Sequence, residues 1–196
     1  MTLRQLLTLP LVGFVALLRL ASPIFKSFVR YTCRARPLHY GLRIANAVPD
    51  KSNEVLIQDR VIGALSLLAD HSPIHLRWLQ RAISVIFIAP LRGGRPIQLV
   101  PEAGILRLNP LLVWKFGSEE LALELVAAAT RFRFHAAHVR DQGANRLPIG
   151  RRAILERIWL AERLNLSEAD MGYWKTKLLT IPDRRRPAGT AGHVDA

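Results

Sequence analysis

Cysteine is almost missing from this chain: Cys33 is the only one in 196 residues. A disulfide or a cysteine-based metal site within one chain is therefore excluded, because either needs a second thiol, and a reducing compartment is compatible. Acidic residues are also scarce, with 15 Asp+Glu against 28 Lys+Arg and a formal net charge of +13. The glycine motifs that cradle phosphate, GxxxxGKS/T and GxGxxG, do not occur, so Gly93-Gly94-Arg95 reads as a turn. Serine-based triads leave no local signature, and Cys33 has no partner that the sequence identifies as a base. No internal repeat is visible. Aromatic residues do not interleave with the arginine clusters as base-stacking platforms do, which disfavours nucleic acid as a partner.

What is present is apolar mass. Half of the residues are hydrophobic (50%), which excludes a wholly disordered chain, and the length suits one ordinary domain plus an appendage. The basic excess is uneven. Residues 1–50 hold seven bases and one acid, 51–129 eight and seven, and 130–196 thirteen and seven, so the two ends carry the charge. Such ends attract nucleic-acid phosphate and anionic lipid head groups alike; solvated arginine-rich faces are the plainer account.

Leu6–Phe25 reads LLTLPLVGFVALLRLASPIF, with Arg19 as its one charge. That length is enough to cross the hydrocarbon core of a bilayer. Arg19 lies near the C-terminal end, where a long side chain snorkels, and Pro10 lies in the first turns, where it costs least. The expected anchor residues are Leu6, Leu9, Leu11, Val12, Phe14, Val15, Leu17, Leu18, Leu20, Ile24 and Phe25. Lys26, Arg30, Arg34 and Arg36 follow as contacts for lipid heads or an acidic partner, whereas only Arg4 precedes the run. The positive-inside rule then keeps the body cytoplasmic. A helix lying in the interface is the alternative to a span, and a buried first helix of a globular domain is the alternative to both. A cleavable signal peptide fits less well, since the charged n-region is thin and no small-x-small site precedes the basic stretch.

Residues 1–30 are thus expected to be a transmembrane or interfacial helix, 31–53 a connector, 54–182 a helical domain and 183–196 a disordered tail of Gly, Ala and charge. Val55, Leu56, Val61, Ile62, Leu65 and Leu68 recur at helical spacing until Ser72-Pro73, and Ile74–Ala82 repeats the pattern. Ser84–Ile88 is a β-branched and aromatic run, followed by the short apolar runs Ile97–Val100 and Ile105–Leu108. Ser118-Glu119-Glu120 before an apolar stretch predicts a helix to about His138, with Leu121, Leu125, Ala128 and Phe132 on one face. Arg151–Leu166 and Ser167–Leu179 predict two more helices. The expected class is α+β, mainly helical, with a small antiparallel β meander and an N-terminal membrane helix.

This order is similar to that of small bacterial HExxH zinc metallopeptidase-like proteins, in which the helix after the meander reads approximately Leu-Val-His-Glu-Ala-Thr-His. Here the matching residues are Leu125-Val126-Ala127-Ala128-Ala129-Thr130-Arg131. Leu125, Val126, Ala129 and Thr130 agree with the pattern. Ala127 and Arg131 stand at the two histidine positions, and Ala128 stands at the glutamate position. Ala64–Pro73, Val85–Ile88 and the downstream Glu156 and Glu162 also resemble the group, so the likeness covers roughly residues 54–166.

Such a zinc site needs two imidazoles one helical turn apart, a third ligand and a carboxylate beside the metal-bound water. Alanine offers no lone pair, and an arginine brings a permanent cation to where a dication would bind. The expectation is therefore a degenerate site formed by Ala127, Ala128, Arg131 and Glu156, with no metal, no cofactor and no catalysis, and with Arg131 paired to Glu156. His135 and His138 form a second pair at i and i+3, with His39, His71 and His75 elsewhere; surface or cap roles are favoured over a metal role. Trp78, Trp114, Trp159 and Trp174 read as core or interface packing. The resulting functional expectation is a pseudoenzyme, an accessory or structural subunit that meets protein partners in a bacterial inner-membrane complex. The alternatives are a metal-dependent hydrolase with an unrecognised site and a basic nucleic-acid-binding module.

Overall fold

The computed structural model describes residues 38–46, 54–91, 97–100, 103–137 and 146–181. Leu6–Phe25, the basic residues Lys26 to Arg36, His138 and the tail 183–196 lie outside these described residues. No described helix is long and apolar enough to cross a membrane.

The chain enters through β1 (Leu38–His39) and β2 (Leu42–Asn46). Tyr40 and Gly41 both have positive φ, 50° and 74°, so a two-residue turn joins them with the twist that antiparallel strands require. Both strands fall within the stretch 31–53 that the sequence marks as a connector. Arg43 interrupts the apolar run, so a strand this short carries no periodic signal until it pairs with Val85–Ile88.

Helix α1 (Glu54–His71) buries Ile57, Val61, Ala64, Leu65 and Leu68, a stripe at helical spacing. Ser72 separates it from α2 (Pro73–Ala82), Pro73 occupying the first helical turn, where its missing N–H costs nothing. Strands β3 (Val85–Ile88), β4 (Ile97–Val100) and β5 (Ile105–Leu108) follow, then α3 (Pro110–Lys115), α4 (Ser118–Ala136), α5 (Arg146–Arg163) and α6 (Glu168–Thr180). The class is α+β. Helix α3 went unforeseen: Asn109-Pro110 both ends β5 and starts a helix, because the Asn109 side chain accepts from the Leu111 N–H at 3.1 Å.

The expected antiparallel meander is corrected to a mixed sheet in the order β1-β2-β3-β5-β4. The β4–β5 hairpin forms, with Ile97 opposite Leu108 and Val100 opposite Ile105. However, β5 lies between β3 and β4 and runs parallel to β3, which is itself parallel to β2. The reason is burial. β3 is apolar on both faces, as interior parallel strands are, and β5 is buried at Ile105, Leu106 and Leu108, whereas β4 has no fully buried residue and exposes Gln98, which suits an edge. On one face Leu42, Ile44, Ile86, Ile88, Leu106 and Leu108 join the main core with α1, α2 and α4. On the other, Ala45, Val85, Ala103 and Ile105 form a smaller cluster.

Candidate functional site

Helix α4 organises the site. The Glu120 carboxylate accepts the Gly117 N–H at 2.8 Å, and Glu119 and Glu120 face the positive end of the helix dipole. Every residue from Leu121 to Thr130 is buried, which makes α4 the central helix of the body, packed by α1, α2 and α5. Ala127 and Ala128 lie in that core, and Thr130 turns its hydroxyl back to the Val126 carbonyl at 2.9 Å. Two buried methyl groups thus occupy the turn at which the resemblance would put a zinc ligand and a general base.

Beside this turn opens a cavity of about 810 Å³ between α4, α5 and α6, lined also by Ile97, Leu112 and Phe116. Its walls include Leu123, Leu166, Tyr173 and Trp174, and its charged groups are Glu119, Glu120, Glu124, Arg131, Arg157 and Lys177. At its base Arg157 and Glu124 form a buried ion pair, and Arg157 Nε reaches the Leu123 carbonyl at 3.4 Å. The Trp174 ring covers the guanidinium at 4.1 Å. Burial lowers the Arg157 pKa and Glu124 opposes it, so the pair holds together as one unit. Lys177 stands 5.5 Å from both the Tyr173 and Trp174 rings, which meet edge-on at 4.7 Å.

A second polar cluster lies between α2 and α5. Ser72 Oγ is 2.5 Å from His75 Nδ1, and His75 Nε2 lies 3.5 Å from Glu156, whose carboxylate also pairs with Arg152 at 2.5 Å. The His75 ring is buried between Trp78 and Trp159, at centroid distances of 4.7 and 5.9 Å. Burial lowers its pKa first; Glu156 raises it, and Arg152 and Arg133 lower it further. Ser72 and His75 have the identities of a nucleophile and its base, yet Ser72 is fully buried and a substrate has no approach to it.

No protein-family model, characterised protein or solved structure matches the chain.

The expected Arg131–Glu156 pair is replaced by another arrangement. The two residues face different clusters: Glu156 is held by Arg152 and His75, while Arg131 lines the cavity with Glu124 and Arg157. On α5 the adjacent positions 156 and 157 point about 100° apart, so one carboxylate cannot serve both sides. His135 is exposed, His71 offers its carbonyl to Arg163 at 2.9 Å, and His39 belongs to β1. Among the described residues no three His, Cys, Asp or Glu side chains come together as metal ligands. Three of the tryptophans pack under cations: Trp78 under Arg133, Trp159 under Arg163 and Trp174 under Arg157. Sequence reasoning passed over Glu124 and Arg157, although a lone acid inside the run Leu121–Ala129 is a signal of a buried ion pair.

Proposed function

We propose that this chain is a non-catalytic accessory or structural subunit of a bacterial inner-membrane protein complex. Leu6–Phe25 holds it at the membrane, its body lies on the cytoplasmic side, and its frame is zinc-metallopeptidase-like. The observation that carries this reading is the α4 turn from Ala127 to Arg131, where two core methyl groups and an arginine stand beside a cavity of matched charges. Its largest buried charges already satisfy one another, and its aromatic and aliphatic walls suit the capture of a partner's side chains. Arginine, tyrosine and tryptophan, which surround it, are the residues that most often anchor protein interfaces.

Purification of the full chain in mild detergent tests the reading. A stoichiometric protein partner is expected, and the exposed cavity-wall changes Tyr173→Ala and Lys177→Glu should reduce its retention. A lone monomer in mild detergent overturns the subunit role. Stoichiometric zinc that is lost with His135→Ala would put a metal-dependent hydrolase in its place.

A further inference from the structure

Four large apolar side chains stand out at one corner of the body. Val55 and Leu56 in the first turn of α1 are 66% and 41% exposed, and Leu111 and Trp114 on α3 are 73% and 49% exposed. The two helices are tied together by Arg60, one turn beyond Leu56, whose guanidinium donates to the carbonyls of Val113, Trp114 and Phe116. Leu111 and Trp114 lie three residues apart on one side of α3, followed by the exposed Lys115. A tryptophan with aliphatic neighbours and a flanking lysine is the composition of a membrane-interface contact: the rings and aliphatic chains enter the acyl boundary while the ammonium stays among the head groups.

In the membrane-anchored reading, this corner lies on the side of the sheet from which the chain enters. Strands β2, β3 and β5 run parallel, α3 begins directly beyond the C-terminal end of β5, and Arg60 ties α1 to α3 there. β1 runs antiparallel to β2, so its N-terminus points to that same side. Only residues 26–37 separate Phe25 from Leu38, a tether that spans at most about 40 Å. Lys26, Arg30, Arg34 and Arg36 within it add attraction to anionic head groups.

We infer that Val55, Leu56, Leu111 and Trp114 form a second membrane contact, which lays the body on the anionic bilayer surface that its N-terminal segment occupies. This rests on the membrane-anchored reading above, and one experiment separates the two. The full chain is reconstituted into phosphatidylcholine–phosphatidylserine vesicles whose acyl chains are brominated, and tryptophan quenching is read alongside co-flotation. Wild type is expected to float and to be quenched. Trp114→Phe should lose most of that quenching, Leu111→Asp should lose it while still floating, and Trp78→Phe should retain it. If the protein floats but Trp114→Phe leaves the quenching unchanged, the second contact is wrong and the anchor stands. If it does not float, both fall. A lipid-free change in Trp114 emission that grows with protein concentration would assign the face to a second copy of the chain and overturn the lipid contact.

Discussion

Arg157 is enclosed by Glu124, the Leu123 carbonyl and the Trp174 ring. Removing one member of a buried pair leaves the other charge desolvated, so Arg157→Ala is expected to lose about 3–5 kcal/mol of stability. Replacing the pair together, as Glu124→Leu with Arg157→Met, should recover most of that loss, which denaturant unfolding of the two variants against wild type measures. His75 gives a pH signature. Its folded pKa lies below the ordinary value, so between the two values the unfolded chain binds the extra proton. The neutral ring's contribution is fully present above about pH 6.5 and is lost as pH falls through the folded pKa. Stability should therefore fall on acidification below that point, and His75→Gln should remove this component, as measured by denaturant midpoints across the range. An unchanged pH profile in His75→Gln would show that the ring is not the titrating group.

At the scale of elements, α4 packs tightly because its middle is small. Adding a branched chain at the buried Ala128 overpacks the core, so Ala128→Leu should cost about 1–3 kcal/mol, read by thermal or chemical unfolding. Gly63 marks another close approach: a Cβ there would lie 2.6 Å from Ser118 Oγ and 3.2 Å from its Cβ, where α1 meets the start of α4. Gly63→Ala alone is expected to destabilise. With Ser118→Gly in the background it should become stabilising by up to about 1 kcal/mol, the helix-propensity gain, and a double-mutant cycle reads the coupling. The helices themselves were legible. The apolar periods of 54–71 and 74–82 and the acidic start at Glu119-Glu120 each became α1, α2 and α4 with small shifts at the ends. Strands β1 and β2 were not legible, since a two-residue and a five-residue strand express their preference only through neighbours.

For the whole molecule, the anchor and the surface contact predict different strengths. Removing residues 1–30 should move the protein to the soluble fraction after a high-salt wash, because four apolar side chains and a few screened cations hold a bilayer only weakly. Retention of the truncated body in salt-washed membranes would show that the body binds by itself. The amino-acid sequence alone determined where helical periodicity starts and stops, and that the stretch Leu125–Arg131 carries no imidazole and no carboxylate. Both are local patterns, written within a few turns of chain. Only the tertiary structure decided that β5 inserts beside β3, and that Glu124 meets Arg157 across a sequence separation of 33. It also drew Glu156 to His75 rather than to Arg131, and left Trp114 at an open corner. Those outcomes come from packing. Which apolar faces must be buried together sets which distant charges become neighbours, and that competition leaves no mark within a short stretch of sequence.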